Sequence, residues 1–296
     1  MHYILYNTLS GSKQGLEYSR SLLGNSVPED AEMIDVTSIT NYADFWTSIN
    51  LEDDTVILSG GDGTINRFIN DNKDFELPKK LFYFPSGSGN DFQNDVAGKS
   101  KEFVPLHQYI KDLPTVTVNG KTSYFINGIG YGLDGYCCEE GDKLKEKSNK
   151  PVNYTAIAIK GILLHFQSAN AKITVDGVTK EYKKVWIAPT MKGRYYGGGM
   201  MVAPMQDRFD PEGKVSVGVF HNASKLKILM ILPSVFEGKH VSHTKQFEVR
   251  RGREVTVEFD RPTPLQIDGE TILGVTSYTV KSGKLASQKE AATAEV

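Results

Sequence analysis

Two short apolar runs in the first third of the chain each end in a glycine-rich turn that leads into a helix-like segment. Residues 55–58 are followed by the turn 59–64, and residues 81–84 by the turn 85–91. Strands that alternate with helices in this way are typical of a parallel sheet covered on both faces. Such sheets bind ligands in the loops beyond the carboxyl ends of their strands, so the two turns are expected to line one crevice.

The pattern changes after about residue 113. Short, often alternating strands follow, separated by turns such as Asn119-Gly120 and Asp176-Gly177, which is typical of an antiparallel sheet. The predicted fold is therefore an α/β domain with a parallel sheet over residues 1–114, followed by a β-rich, antiparallel sandwich-like domain over residues 115–296. A helix is expected within the second domain over residues 153–166, and the C-terminal tail could pack back on the first domain.

Net charge, cysteine content and the length of the apolar stretches indicate which partners and which cellular location to expect. The formal net charge of −2 makes nucleic acid an unexpected partner. The two cysteines, Cys137 and Cys138, are adjacent and therefore poorly placed for a structural disulfide, which fits a reducing cytosol. The chain opens without a secretory signal, and its longest apolar stretches, residues 156–166 and 228–236, are too short to span a bilayer. A cytoplasmic location is expected.

The turn after the earlier apolar run has the composition of a phosphate-binding loop. Three glycines, Gly60, Gly61 and Gly63, allow the backbone to approach a phosphate closely, and the amides of a helix N-terminus attract anionic oxygens. Asp62 could orient a nucleotide or a magnesium-bound water, and Thr64 could contact phosphate. The alternative is an ordinary glycine-rich turn with Thr64 as the helix N-cap.

The turn after the next strand repeats this design. Small residues again permit close backbone approach, Ser88 offers a hydroxyl, and Asn90 and Asp91 could cap a helix or face the site. Either turn alone is as easily explained by capping, but two such turns on successive parallel strands are much more specific. The pair predicts a nucleotide site.

At this point the sequence resembles the diacylglycerol kinase catalytic-domain family, which includes bacterial lipid kinases and the sphingosine and ceramide kinases. The two glycine-rich turns carry the resemblance together with three later motifs, all in family order. These motifs are Phe125-Ile126-Asn127-Gly128, then Gly197-Gly198-Gly199-Met200 with Ala203-Pro204, and finally Asp268-Gly269-Glu270. The family combines a nucleotide-binding α/β domain with a β-rich domain, in agreement with the change of pattern.

The resemblance implies an ATP- and Mg²⁺-dependent kinase that phosphorylates a lipid hydroxyl, with diacylglycerol as the default acceptor and phosphatidic acid, a phospholipid precursor, as product. It implies that Glu270 accepts the hydroxyl proton, with Asp268 as a close rival; without the glycine turns, Asp268-Gly269 would be interpreted as a hairpin turn. The lipid would enter between the domains. The residues expected to bind ATP are Asn7, Ser10, Gly11, Gly60, Gly61, Asp62, Gly63, Thr64, Asn66, Ser88, Asn90 and Asp91.

Bacterial relatives also hold a magnesium ion at a turn that aligns with residues 207–214. The matching ligands would be Phe209, Glu212 and Lys214, two of them through backbone carbonyls; a solvated charged turn is the alternative. A lipid acceptor further implies peripheral association with the inner face of the membrane. The resemblance leaves a homodimer open.

Some positions depart from the family pattern. Arg67 stands where a glutamate is common, and residues 115–120 lack a usual acid. These departures keep one alternative open, a nucleotide- or lipid-binding protein with impaired catalysis. A second alternative is an NAD kinase or phosphofructokinase-like enzyme, which shares the first turn. The acceptor also stays open among diacylglycerol, phosphatidylglycerol, a sphingoid base and an undecaprenol-like alcohol.

Overall fold

The computed structural model describes residues 1–8, 15–24, 28–87, 89–147 and 152–284. Three of the residues predicted to bind ATP, Ser10, Gly11 and Ser88, lie outside these ranges, as does the C-terminal tail from residue 285. The chain divides into two compact units, Met1–Lys111 and Asp112–Val296. The sequence placed this boundary between residues 114 and 115.

The first unit alternates strands and helices. Its elements in chain order are β1 (His2–Tyr6), α1 (Gly15–Leu23), β2 (Glu32–Asp35), a 3-10 turn (Val36–Ser38), α2 (Tyr42–Thr47), β3 (Thr55–Gly60), α3 (Asp62–Asp71), β4 (Lys80–Pro85), α4 (Asp91–Ala97), β5 (Val104–Pro105) and α5 (His107–Ile110). The sheet order is β2-β1-β3-β4-β5, with the first four strands parallel and β5 antiparallel at the edge.

The central strands of this sheet are buried on both faces. In β3, Val56, Ile57 and Leu58 are all buried, which explains why the run is apolar without alternation. The strands β3 and β4 are adjacent and parallel, so the turns that follow them leave the same edge of the sheet. This arrangement places the two glycine-rich turns side by side.

The second unit is built around a ten-stranded antiparallel sheet. Its strands are β6 (Thr115–Val118), β7 (Lys121–Tyr124), β8 (Gly128–Tyr131), β9 (Ala169–Val175), β10 (Val178–Val185), β11 (Thr190–Met191), β12 (Val215–Phe220), β13 (Phe247–Gly252), β14 (Glu254–Ile267) and β15 (Glu270–Lys281). Its helices are α6 (Leu133–Lys147), α7 (Tyr154–Lys160) with a π-helical turn (Gly161–His165), α8 (Lys225–Val235) and a 3-10 turn (Lys239–Ser242).

The long strand β14 organises this sheet. It pairs with β15 along most of its length, with β9 through its first half and with β8 through its last three residues. Inward-facing aromatics fill the core: the rings of Tyr131 and Phe259 stack with centroids 4.0 Å apart, and Tyr131 meets Tyr278 edge-on at 5.5 Å. The hairpin formed by β14 and β15 is therefore held firmly on both sides.

The predicted fold class is confirmed: an α/β unit with a parallel sheet precedes an antiparallel β unit. The fifteen-residue helix α6 was not expected, because Gly135 and Gly141 interrupt its helical pattern. Gly135 is required by packing, since a Cβ there would collide with the carbonyl oxygen of Pro264 in β14. In the described part of the chain, no helix is both long and apolar enough to cross a membrane.

Candidate active site

The two glycine-rich turns of the first unit touch through their backbones. The carbonyl oxygen of Gly60 accepts hydrogen bonds from the amides of Ser86 (2.9 Å) and Gly87 (3.1 Å). A Cβ on Gly61 would lie 3.2 Å from the Cα of Gly87, and a Cβ on Gly87 would collide with the Cα of Gly61. The close approach of the two turns therefore requires glycine at position 87 and leaves little room for a side chain at position 61.

The carboxylate of Asp62 ties the first turn to the helix that follows the second. One oxygen accepts the amide of Asp91 and the other the amide of Phe92, both at 2.9 Å. Asp62 thus satisfies two amides at the start of α4. Gly61, not Thr64, is the N-cap of α3, because the helix begins at Asp62. The sequence reading of Thr64 as an N-cap was wrong by one turn.

The second turn is closed by its own asparagine. The Asn90 side chain accepts the amide of Gly87 (3.1 Å) and donates to the carbonyl oxygen of Gly87 (2.7 Å). The backbone of Asn90 is left-handed, with φ of 50°, and its side chain makes no capping bond to α4. The hydroxyl of buried Tyr83 donates to the Gly60 carbonyl oxygen at 2.9 Å, which braces both turns from below.

A small surface pocket lies beside the first turn. Its lining residues are Asn7, Val36, Tyr42, Thr64, Arg67 and Phe68. Asn7, at the end of β1, donates from its side-chain amide to the Thr64 hydroxyl at 3.0 Å, so two predicted ATP-binding residues meet here. The guanidinium of Arg67 pairs with Asp71 one turn along α3 at 3.4 Å, which partly offsets its positive charge.

In the second unit, Asp268 holds a backbone loop in place. Its carboxylate is buried and accepts the amides of Ile126 (2.7 Å), Asn127 (2.9 Å) and Gly128 (2.9 Å). The backbone amide of Asp268 in turn donates to the Gly128 carbonyl oxygen at 3.1 Å. A carboxylate with this many amide donors is occupied in fixing the loop between β7 and β8.

Two cationic residues flank the same loop. Arg208 donates to the carbonyl oxygen of Ile126 and to the side-chain oxygen of Asn127, both at 2.6 Å. Lys192 donates its backbone amide to the Asn127 carbonyl oxygen at 2.9 Å, and its side chain is buried. Burial, together with the charges of Arg208 and Lys284, lowers the pKa of Lys192.

Glu270 follows Asp268 across a two-residue turn. Asp268 and Gly269 have φ of 46° and 98°, the pair of positive values that a type I′ hairpin turn requires. The hairpin-turn interpretation and a functional role are therefore compatible at this motif. Glu270 is exposed, and among the described residues its carboxylate has no hydrogen-bond or ion-pair partner.

The hairpin turn is anchored to helix α6 through one glutamine. The side-chain oxygen of Gln266 accepts the Gly269 amide at 2.7 Å, and its amide group donates to the carboxylate of Asp134 at 2.9 Å. Burial raises the pKa of Asp134 to about 6, partly opposed by the bond from Gln266. A buried relay thus connects the first turn of α6 to the turn before Glu270.

Family models match both units. Residues 2–117 match the diacylglycerol kinase catalytic domain, and residues 127–284, more than half of the chain, match the YegS C-terminal NAD kinase beta sandwich-like domain. The chain belongs to the diacylglycerol kinase catalytic-domain family. Family membership supports a nucleotide-binding kinase and implies the use of ATP.

Individual relatives agree with this assignment. The "Putative lipid kinase YtlR" of Bacillus subtilis (strain 168) is 27% identical over 248 residues, covering 77% of each chain. A diacylglycerol kinase of Mycobacterium tuberculosis is 24% identical over 213 residues, covering 69% of this chain and 67% of the relative. A crystal structure of a "putative diacylglycerol kinase" from Bacillus anthracis superimposes with a TM-score of 0.65 at 19% identity, over 95% of this chain and 92% of that one, and supports the fold alone.

Two of the three ligands predicted for magnesium at the turn 207–214 have partners within the protein. The Lys214 carbonyl oxygen accepts the Gln206 side chain at 3.0 Å, and the carboxylate of Glu212 pairs with the ammonium of Lys214 at 2.7 Å. Phe209, the third predicted ligand, is half exposed at 54%. In the described part of the chain, no group of three or more His, Cys, Asp and Glu side chains could hold a metal ion.

Two cationic side chains of the protein bind this turn. The ammonium of Lys284 donates to the carbonyl oxygens of Asp210 (3.0 Å) and Pro211 (3.2 Å), and Arg251 pairs with the Asp210 carboxylate at 2.6 Å. Gly213 has φ of 70°, and a Cβ there would lie 3.0 Å from the Cβ of Lys284, so glycine permits the approach. The Lys284 ammonium therefore supplies positive charge at the carbonyl oxygens of this turn.

We expect Lys284→Met to destabilise the second unit by about 1–3 kcal/mol, because two carbonyl oxygens lose a charged donor. Thermal unfolding with and without millimolar MgCl₂ measures this. Magnesium is expected to leave the melting temperature of both proteins unchanged. Lys281→Met, an exposed lysine on β15, is the matched control. A marked rise in the melting temperature of the wild-type protein with MgCl₂ would contradict the assignment.

The pKa of Asp134 predicts a specific pH dependence. The folded protein retains this proton up to about pH 6, whereas the unfolded chain releases it near the ordinary value of 3.8, so stability falls as pH rises between these values. Asp134→Asn keeps the acceptor for Gln266 and removes the titration. We expect the variant to gain about 2–3 kcal/mol relative to wild type between pH 4 and pH 7.5. Urea unfolding at both pH values, with Glu146→Gln on the same helix as control, tests this; parallel profiles would refute it.

Sequence reasoning missed several residues of these two sites. Tyr83 lies inside an apolar strand, and no motif in the sequence singled out Asp134. Lys192 and Arg208 gave no pattern, because their partners lie 65 to 82 positions away along the chain. Arg208 lies within the turn 207–214, which was predicted to hold magnesium. Its positive charge was the sequence signal that could have identified it.

Proposed function

We propose that the protein is an ATP- and Mg²⁺-dependent lipid kinase that transfers the γ-phosphoryl group of ATP to the hydroxyl of diacylglycerol and produces phosphatidic acid. The first unit would hold ATP on its two glycine-rich turns. The second unit would supply the proton acceptor, Glu270. The protein would work at the inner face of the membrane without crossing it.

One observation carries the nucleotide part of this proposal. Two glycine-rich turns from adjacent parallel strands are in backbone contact at Gly61 and Gly87, and Asp62 locks them together through the start of α4. Phosphoryl transfer requires positioning and charge neutralisation more than covalent chemistry, so a rigid glycine-lined edge suits it. The residues that would contact ATP are Asn7, Gly60, Gly61, Asp62, Gly63, Thr64, Asn66, Asn90 and Asp91, with Ser10, Gly11 and Ser88 from outside the described ranges.

The exposure of Glu270 and the burial of Asp268 support a division of roles between these acids. In the transfer, the bond from the γ-phosphorus to the bridging oxygen breaks, ADP departs, and a bond forms from the lipid oxygen to phosphorus. The hydroxyl proton passes to the Glu270 carboxylate. Asp268, whose oxygens accept three backbone amides, would position the hairpin rather than take the proton.

In this proposal, magnesium binds together with ATP. Bound between the phosphate groups of ATP, Mg²⁺ would neutralise charge on the transferring group. Asp62 stands at the glycine turn as the acid that could face a magnesium-bound water, while its two oxygens also fix α4.

The direct test is incubation of the purified protein with ATP, MgCl₂ and a panel of lipids, with products identified by mass spectrometry. The panel contains diacylglycerol, phosphatidylglycerol, a sphingoid base and an undecaprenol-type alcohol. Phosphatidic acid as the main product would support the proposal. A phosphorylated product from another lipid would keep the kinase and change its acceptor.

Binding of ATP without turnover on any lipid would favour the catalytically impaired alternative. The observation that motivates this alternative is the positive charge of Arg67 in the pocket beside Thr64. The ion pair between Arg67 and Asp71 makes this argument weaker, because it reduces the net positive charge that faces the pocket. Phosphorylation of NAD alone would favour an NAD kinase-like enzyme instead.

A further inference from the structure

Two helical segments of the second unit pack together against the sheet. The first segment is α7 with its π-helical turn, and the second is α8. Their inner sides share one apolar cluster, which includes Ile157, Ala158, Ile162, Ile228 and Ile231. The Lys225 ammonium also donates to the carbonyl oxygen of Leu163 at 2.8 Å, so the two segments are adjacent on the surface.

The outer side of this helical pair is unusually apolar for a protein surface. Large side chains stand exposed in both segments: Leu163 (49%), Leu164 (69%), Leu226 (68%), Met230 (61%) and Phe236 (43%). Single exposed apolar residues are ordinary, but several of them on two adjacent segments indicate an interaction site. We call this group the apolar face.

The charges around the apolar face have one sign. Residues 152–175 and 213–236 contain no Asp or Glu, while Lys160 and Lys225 are exposed and Lys227 is half-buried. The neighbouring acids are already paired: Glu139 and Glu140 of α6 with Lys143, Asp142 with Lys145, and Glu237 with Lys239. An apolar surface with unopposed lysines complements an anionic lipid headgroup layer.

We propose that the apolar face docks the protein on the surface of an anionic lipid bilayer. Its leucine, methionine and phenylalanine side chains would enter the boundary between headgroups and acyl chains. Lys160 and Lys227 would remain at the level of the lipid phosphates, with their aliphatic stems along the apolar surface. The choice of a bilayer as occupant rests on the proposed lipid-kinase function, because a kinase of a membrane lipid must reach its acceptor there.

Sedimentation with large unilamellar vesicles tests the docking surface without any catalytic step. The wild-type protein is expected to bind vesicles that contain phosphatidylglycerol and to bind pure phosphatidylcholine vesicles weakly. The triple variant Leu164→Gln, Leu226→Gln, Met230→Gln is expected to bind anionic vesicles about 100-fold more weakly. The double variant Lys160→Ser, Lys227→Ser is expected to lose about 30-fold and most of the salt dependence.

Val178→Gln is the matched control, because Val178 is 65% exposed on the β9–β10 hairpin. It should bind like the wild type, and unchanged melting temperatures would show that all variants fold. Equal vesicle binding by the triple variant and the wild type would overturn the inference and favour a protein partner for this face. Failure of wild-type protein to bind anionic vesicles would also overturn it.

Activity toward a short-chain, monomeric diacylglycerol separates this inference from the proposed function. A triple variant that phosphorylates the monomeric lipid normally but fails on vesicles would support both. If no lipid is phosphorylated and vesicle binding still depends on the apolar face, the docking surface stands and the kinase proposal fails. If a lipid is phosphorylated and vesicle binding does not depend on the apolar face, the kinase proposal stands and the docking surface fails.

Discussion

Glu270→Gln is expected to lower kcat about 10²–10⁴-fold, the contribution typical of a positioned proton acceptor. Glutamine keeps the size and polarity of the side chain but cannot accept the hydroxyl proton. The melting temperature should stay within about 1–2 °C of wild type, because substitutions of exposed side chains without specific partners are nearly neutral. Initial rates of phosphatidic acid formation and thermal unfolding of the same preparations provide the measurement.

The matched control for this variant is Glu258→Gln. Glu258 is an exposed glutamate on β14, the strand that leads into the same hairpin. It should retain full activity. If Glu270→Gln kept more than half of the wild-type rate, the proton would have to leave by another group, and the role assigned to Glu270 would be incorrect.

Asp268→Asn is expected to destabilise the protein by about 3 kcal/mol and to lower activity as a consequence. The carboxylate accepts three amides from the loop before β8, and asparagine replaces one of the accepting oxygens by a donor. Buried donors that lose a charged acceptor cost about 1–3 kcal/mol. Urea unfolding measures the loss of stability, and the rate assay is run at a temperature where the variant is folded.

This variant separates positioning from proton transfer. A positioning role predicts lower stability together with partial activity, whereas a proton acceptor would lose activity and keep its stability. Asp260→Asn is the control, because the exposed Asp260 carboxylate accepts bonds only from Asn170 among the described residues. It is expected to change stability by less than about 1 kcal/mol.

The local pattern was sufficient for much of the fold. The apolar runs 55–58 and 81–84 lie within the strands β3 (Thr55–Gly60) and β4 (Lys80–Pro85), because the apolar character of both runs is a local signal. The full length of the hairpin formed by β14 and β15 is not evident from the sequence. Charged and proline residues at 260–262 interrupt its alternation, and there β14 shifts its register with β15.

The strand β8 is not predictable from the sequence for a second reason. Its sequence, Gly128-Ile129-Gly130-Tyr131, looks like a turn, because glycine is unfavourable in strands. A Cβ on Gly128 would meet the Met191 side chain, and one on Gly130 would meet the Asp134 carboxylate. These glycines serve contacts with residues distant along the chain, and local pattern contains no information about such contacts.

The candidate site, like the fold, has parts that the sequence predicts and parts that it does not. The two glycine-rich turns were predicted from the sequence because their chemistry is local, and the structure brings them into contact. The tasks of the acids were not predictable. Asp62 was predicted to bind the nucleotide and Asp268 to rival Glu270 as the catalytic acid, yet their oxygens accept amides 29 and up to 142 positions away. Only the fold distinguishes a carboxylate that fixes a loop from one that remains exposed, as Glu270 does.

The central claim is that this kinase uses a lipid hydroxyl as its acceptor. Transfer of labelled phosphate from ATP, measured side by side with diacylglycerol and with NAD as acceptor, tests it most directly. The account predicts label in phosphatidic acid, dependent on Glu270, and none in the NAD product. Label in the NAD product alone would contradict it.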